Sequence, residues 1–514
     1  MAELGKELFK QLTSNDETAK LLAEALGAAD IEDTMADGKE KQTQAQTLIA
    51  ISMDAELFHT PDNECYATIP VSGHKENWLI RTKGFRNWLV QRFYEAKGKP
   101  PSAQALQDAL GVLEAKAQFD GPEMPVFTRL AEKGDAIYLD LANDAWEAVE
   151  VTPYGWRVIA DPPVKFRRTK GMLPLPHPVA GGNIDELRQF INAPDDTTWR
   201  LLVAYLVASM RPSGPYPVLI LQGEQGTAKS TTARVLRELV DPSTAPLRAT
   251  PRDERDLAIA ANNSWCIAFD NLSGIPNWLS DAICRLASGL GFATRTLYAD
   301  DEETIFAAMR PVSLNGIDDL VTRQDLLDRA LVINLPVIDT SKRQDEQTFW
   351  RAFEEARPRI LGALLEAVGI GLLNIEHVQI DELPRMADFA KWVTACEPGL
   401  LWGEGEFMEA YTGNRAEAIE LALETDPVAV AVRALLEEEG KEEWEGTATE
   451  LLRALEVYVP EATRKTKSWP KTAKTLGNRL RRAATFLRQT GIDVEFYRLD
   501  TAARTRLIRI SKEN

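Results

Sequence analysis

Cysteine and histidine are scarce in this chain, four of each among 514 residues. Cys65, Cys266, Cys284 and Cys396 are scattered without CxxC spacing, and His59, His74, His177 and His377 lie apart from them in sequence. That excludes a disulfide-stapled scaffold and any zinc module built from paired ligands, and it leaves ordinary reduced thiols. No run of 18 or more apolar residues occurs, so no segment reads as a membrane span. The first 20 residues are charged and amphipathic, with neither an apolar signal core nor a small-residue cleavage site, and a cytoplasmic location is expected. No internal repeat of about 20–50 residues is present, which excludes a solenoid. Residues 1–183 lack a DxD-type acidic motif with a partnering histidine, so no primase centre is recognisable there. What remains is a soluble globular composition, 44% hydrophobic and 27% charged, in a chain long enough for about three or four domains.

Within it, Val218-Leu219-Ile220-Leu221-Gln222 is an apolar run fit for a buried parallel strand. Gly223-Glu224-Gln225-Gly226-Thr227-Ala228-Lys229-Ser230-Thr231 follows, and Thr232 to Val240 has the residues of a helix. This is the pattern of a phosphate-binding loop, whose glycines turn backbone N–H groups inward at a helix start. Lys229 would neutralise β- and γ-phosphates and Ser230 would hold Mg²⁺. Ala228 stands where a second glycine usually precedes the lysine; ordinary helical dihedrals are expected there, which alanine tolerates.

Three further strands follow in order. Ser264 to Phe269 is apolar and ends in Asp270, a carboxylate placed for the hydration shell of Mg²⁺. Arg310 to Gly316 is a short strand ending at Asn315, positioned to sense a γ-phosphate and orient water. Ala330 to Leu335 is preceded by Asp325-Leu326-Leu327-Asp328-Arg329, which puts Arg329 within reach of a phosphate held by a neighbouring subunit. The alternation of strands and helices implies a parallel, doubly wound sheet.

The net charge of −19 conceals an asymmetry: from Glu461 onward there are 14 Lys or Arg against five acids, a local +9 that leaves about −28 on residues 1–460. Trp469 to Arg488 is amphipathic at helical period, with Leu476, Leu480, Ala483, Ala484 and Leu487 on one face and the arginines on the other. Two short strands, Asp493 to Arg498 and Thr505 to Ile510, come next, and Trp444 to Leu452 is expected as a preceding helix. Helices plus a basic hairpin describe a winged helix in which Lys471, Lys474, Arg479, Arg481 and Arg482 contact DNA phosphates or groove edges. A protein-docking winged domain is the alternative. In the N-terminal part, Trp78, Phe85, Trp88, Phe93 and Tyr94 interleave with Arg81, Lys83, Arg86 and Arg92; this is either a platform for single-stranded bases or a plain amphipathic helix with an aromatic core face.

On Gly223 to Thr231, Phe269-Asp270-Asn271, Ser288 to Tyr298, Arg310 to Gly316 and Arg329, the chain resembles hexameric superfamily three helicases and the helicase half of poxvirus- and phage-type primase-helicases. The tail similarly resembles DNA-binding tails of phage and mobile-element replication proteins. The resemblance implies an AAA+-like P-loop core that hydrolyses ATP with Mg²⁺ between subunits of a ring, a hexamer, and moves DNA, single-stranded or forked, through it. Arg295 and Tyr298 would then lie near the pore as strand contacts, a surface turn being the alternative. The expected organisation is an α+β accessory domain at 1–183, the ATPase core at 184–340, a helical region at 341–440 and the winged helix at 441–514. A separate primase or polymerase is a further expected partner. One position departs from the pattern: Asn271 follows Asp270 where many such ATPases carry a glutamate that activates water, and an amide is no base. Asp270 itself, Asp281 or an acid of Asp300-Asp301-Glu302-Glu303 could serve, or hydrolysis is slow. Two functions are consistent with these residues, a DNA helicase or translocase for replication of a phage or mobile element, and a nucleotide-switched DNA-binding or assembly protein without unwinding.

Overall fold

The computed structural model describes residues 42–289, 292–295, 303–306, 308–316, 323–438, 442–466, 468–498 and 506–512. Two units are distinguished, Met1–Pro125 and Val126–Asn514, so the segment 126–183, expected with the N-terminal domain, lies in the second unit.

In the first unit, α1 (Gln44–Ile51) precedes an antiparallel sheet of β1 (Glu56–His59), β2 (Cys65–Val71) and β3 (His74–Leu79), followed by α2 (Lys83–Lys97) and α3 (Ala103–Phe119). The basic-aromatic segment is largely α2. Phe85, Leu89 and Phe93 recur at helical spacing and are buried together with Ala109, Leu110 and Leu113 of α3. Their burial favours the amphipathic-helix reading, since a ring packed in the core offers no face to a base. Trp88 is only partly buried and stacks on Phe85, and Arg92 lies over it.

The second unit begins with β4 (Val126–Phe127), the antiparallel sheet β5 (Leu130–Lys133), β6 (Ala136–Asp140), β7 (Ala148–Thr152) and β8 (Gly155–Ile159), and β9 (Lys165–Phe166). Arg129 anchors this sheet. Fully buried, it donates to the Asp241 carboxylate at 3.1 Å, to the Asp140 carbonyl at 2.9 Å and to the Leu173 carbonyl at 2.8 Å. The Asp241 carboxylate in turn accepts from the N–H groups of Trp265 and Cys266. A buried charge persists only when its hydrogen-bonding capacity is filled in this way. The Pro/Gly-rich stretch 173–182 is an extended connection sewn to the core. The Leu175 and Val179 N–H groups donate to the carbonyls of Leu141 and Pro358, both at 2.9 Å.

A 3-10 turn (Ile184–Phe190) and α4 (Asp196–Ser209) lead to the central sheet. It contains β10 (Val218–Gln222), followed by α5 (Lys229–Val240) and α6 (Glu254–Asn263); β11 (Ile267–Leu272), followed by α7 (Asn277–Ser288) and the hairpin β12 (Phe292–Arg295) and β13 (Glu303–Phe306); β14 (Val312–Gly316) with the short α8 (Gln324–Leu327); and β15 (Ala330–Asn334). The order is β11-β14-β10-β15, all parallel, and Arg248 adds a parallel bridge to Phe269 beyond β11. Every residue of β10 is buried, as a parallel strand covered on both faces must be.

The helices α9 (Glu346–Asn374), α10 (Ala387–Cys396), α11 (Glu406–Thr425) and α12 (Pro427–Glu437) follow. The α9 helix is long and apolar enough to cross a membrane, but it lies in the core: Ile360, Leu361 and Leu364 are fully buried. Val179 approaches so closely that a Cβ on Gly362 would meet its carbonyl oxygen at 1.9 Å.

The tail contains β16 (Glu443–Gly446), α13 (Ala448–Leu455), α14 (Glu461–Lys465), α15 (Ala473–Gln489), β17 (Ile492–Arg498) and β18 (Arg506–Lys512), with the antiparallel order β16-β18-β17. Trp444 to Gly446, expected in a helix, is instead a strand paired with β18. Thr447 sets the helix start, because its side chain and that of Glu450 form a reciprocal capping box.

Candidate nucleotide site and basic tail

The strand–loop–helix unit places the loop at the carboxyl ends of β10, β11 and β14. Gly223 and Gly226 take φ of +143° and +88°, and a Cβ on Gly223 would lie 2.5 Å from the Leu335 carbonyl oxygen. Glycine is required there on both counts. Ala228 departs from expectation: it adopts φ 61°, ψ 29°, the left-handed region, directly before α5. The loop must reverse its N–H groups there to open the helix start, and an L-residue in that conformation costs about 1–2 kcal/mol. Asn192, upstream of α4, braces the loop by donating to the carbonyls of Thr227 at 3.1 Å and Pro336 at 2.7 Å. The Ile338 N–H donates to the Gly226 carbonyl at 3.2 Å. Neither brace was evident in the sequence, since both partners are distant backbone carbonyls.

The Lys229 ammonium donates to the carbonyls of Gly223 and Glu224, both at 2.7 Å. Burial holds its pKa below the ordinary lysine value, against the pull of the Asp270 carboxylate. The Ser230 hydroxyl donates to Asp270 Oδ1 at 2.8 Å, so two oxygen ligands suited to a hard cation lie side by side. The strand β11 slips register between Phe269 and Leu272, and Asn271 takes φ 56°, a conformation that asparagine tolerates. The bulge turns the Asn271 N–H onto Asn315 Oδ1 at 2.8 Å. That bond fixes the amide of Asn315, which is 1% exposed, and leaves its Nδ2 a buried donor without a partner among the described residues. An orphaned donor beside Lys229, Ser230 and Asp270 suits an anionic ligand such as the phosphates of ATP, and the oxygens of Ser230 and Asp270 suit Mg²⁺.

Of the acids expected as alternatives to a glutamate at 271, Asp281 is engaged by Arg323 at 2.6 Å. Asp300 to Glu302 lie outside the described residues and Glu303 opens β13. Arg329 follows α8, away from the loop in sequence, and donates to the Asp325 carbonyl at 2.8 Å. Neighbouring Asp328 is buried and paired with Arg385 at 2.9 Å and Arg415 at 3.6 Å. Arg295 ends β12, and Tyr298 lies outside the described residues.

In the tail, the apolar face of α15 is buried as its periodicity predicts. Lys471 donates to the Arg464 carbonyl and Arg479 to the Ser468 carbonyl. Arg481 lies over the Phe496 ring at 4.4 Å, Arg482 donates to the Asn478 carbonyl at 3.4 Å, and Lys474 is exposed.

These observations define a mixed α/β protein with a central parallel sheet, a polar site at its strand ends and a basic tail. Residues 184–400 match the family model described as actinomycete integrative conjugative element replication protein, and residues 428–514 match the model of the C-terminal domain of that RepA family. The two matches mark the second unit as similar to a replication protein of a mobile element. No curated protein matches the chain. Among solved structures, the apo C-terminal region of NrS-1 is similar at 12% identity over 91% of this chain and 98% of that one, with a TM-score of 0.40. A second apo structure of that region gives 12% identity, 93% and 100% coverage, and 0.39. A JCV helicase bound to a small molecule gives 12% identity over 46% of this chain and 65% of that one, with a TM-score of 0.26.

Proposed function

We propose that residues 184–340 form an AAA+-like P-loop ATPase core and that the protein is an ATP-dependent DNA helicase or translocase for replication of a mobile element, acting as a ring, a hexamer. The observation that carries this reading is the convergence of Lys229, Ser230, Asp270 and Asn315 at the ends of three neighbouring strands. The family matches support the replication context and the +9 tail supports DNA as partner. A winged-helix reading of residues 441–514 is supported by helices packed on a three-stranded antiparallel sheet.

In this reading the Gly223 to Thr231 backbone and Lys229 hold the ATP phosphates, while Ser230 and Asp270 hold Mg²⁺, which supplies charge neutralisation when bound. Asn315 donates its free Nδ2–H to the γ-phosphate or to the attacking water. Arg329 serves the site of a neighbouring subunit. Asp270 is the carboxylate bonded to Ser230 in this cluster, and Asn271 cannot accept the proton of the water.

Asn271 favours a second reading, a nucleotide-switched DNA-binding or assembly protein with weak hydrolysis. Size-exclusion chromatography with and without ATP, run beside phosphate release, separates the two. The motor reading expects turnover that rises with DNA and is abolished in Lys229→Ala. ATP-dependent assembly or DNA affinity without turnover would support the switch instead.

A further inference from the structure

A cleft of about 590 Å³ separates the core from the tail within the second unit. Its walls come from the Arg323 end of α8, from the junction of α11 and α12 at Asp426, and from α15. Four guanidinium groups line it, those of Arg323, Arg479, Arg481 and Arg482. On the tail side, none of the three arginines has a carboxylate within ion-pair distance among the described residues; they rest on carbonyls and on the Phe496 ring. The acids of the cleft are differently placed. Asp426 caps α12 by accepting from the Val428 N–H at 2.8 Å, and Asp325 stands 3.9 Å from Arg323. Arg323 itself is held by Asp281 and by the Asn277 carbonyl, which fixes its direction at little cost to later binding.

The guanidinium groups of α15 and the ion-paired Arg323 converge from two sides of the cleft, and such a set suits a chain of phosphates. The volume falls in the range of small-ligand sites, about 300–1,000 Å³, which accommodates a short stretch of single strand. A duplex needs α15 free to enter a groove about 12 Å wide, whereas the core wall faces that helix across the cleft. We propose that the cleft binds the phosphodiester backbone of single-stranded DNA, gripped jointly by Arg323 of the core and the arginines of α15. The inference rests on DNA being the partner of the tail and adds to that reading the cleft where a single strand lies and a core residue that grips it.

Fluorescence anisotropy with the full chain, titrating a single-stranded oligonucleotide and its duplex over a salt series, tests it with Arg323→Gln and Asp281→Asn. R323Q is expected to weaken single-strand binding about tenfold, to reduce the salt slope by about one, and to leave duplex binding unchanged. D281N, which frees Arg323, is expected to keep or raise single-strand affinity. Unchanged single-strand binding in R323Q, an equal loss on duplex, or equal losses in both variants would overturn the cleft assignment; the last outcome would make Arg323 a structural ion-pair partner. Phosphate release by each variant without DNA is read alongside. Absence of turnover in the wild type would count against the ATPase proposal and leave the binding result standing.

Discussion

At Ala228 the local rule and the loop geometry conflict. A residue at φ 61° directly before Lys229 is most easily a glycine, and alanine holds the loop in that conformation under strain. Ala228→Gly relieves about 1–2 kcal/mol of that strain, while the freer unfolded chain takes back about 0.4–1 kcal/mol. The expected outcome is a net gain of roughly 0.5–1 kcal/mol, read as a raised denaturant midpoint with an unchanged slope. A lowered midpoint would mean that the loop prefers the methyl group. Asn271 sits at φ 56° as well, but an asparagine there is nearly unstrained, and its N–H serves Asn315. The loop, Asp270 and Asn315 were legible in the sequence because each stands at the end of an apolar strand. The left-handed turn at Ala228 was not, since dihedral demand leaves no mark when the residue present is not the one that fits best.

Among the elements, β15 presents an unusual solution to an exposed edge. It is the last strand of the parallel sheet, and Asn414 of α11 covers it by accepting from the Val332 N–H at 3.1 Å and donating to the Val332 carbonyl at 2.6 Å. One amide thus supplies both bonds that a further strand would make to Val332. Asn414→Ala leaves a buried N–H and a buried C=O unpaired and is expected to destabilise by about 2–5 kcal/mol. Urea unfolding monitored by circular dichroism measures this; a loss below about 0.5 kcal/mol would show that the edge is satisfied otherwise. The same element scale explains what the sequence concealed. Strand and helix alternation from Val218 to Asn334 followed from period and apolar runs. Trp444 to Gly446 became a strand because a tertiary partner, β18, was available, and its pairing outweighs local propensity. The Pro/Gly-rich 173–182 stretch has a composition equally suited to a linker and to an extended connection. Only the distant carbonyls of Leu141 and Pro358 decide for the latter.

For the molecule as a whole, charge is partitioned: about −28 on residues 1–460 against +9 on the tail keeps most of the surface unattractive to DNA and concentrates attraction where α15 lies. Within the acidic part, Glu397 is 3% exposed, and burial pushes its carboxyl above the ordinary range, opposed by N–H donors from Phe407 at 2.8 Å and Gly405 at 3.3 Å. Above the ordinary glutamate value and up to its own raised one, the native chain holds a proton that the unfolded chain has lost. Stability from this group is therefore full below that window and falls as pH rises through it. Glu397→Gln removes the titration, so its melting temperature should vary less with pH across that interval than the wild type; identical profiles would refute the assignment. The central claim is that the Lys229 site drives movement on DNA. ATP-dependent strand displacement on a forked substrate, comparing wild type with Lys229→Ala at matched DNA occupancy, tests it most directly. The account predicts displacement by the wild type and none by the variant. No displacement by the wild type, while both proteins bind the fork equally, would contradict it.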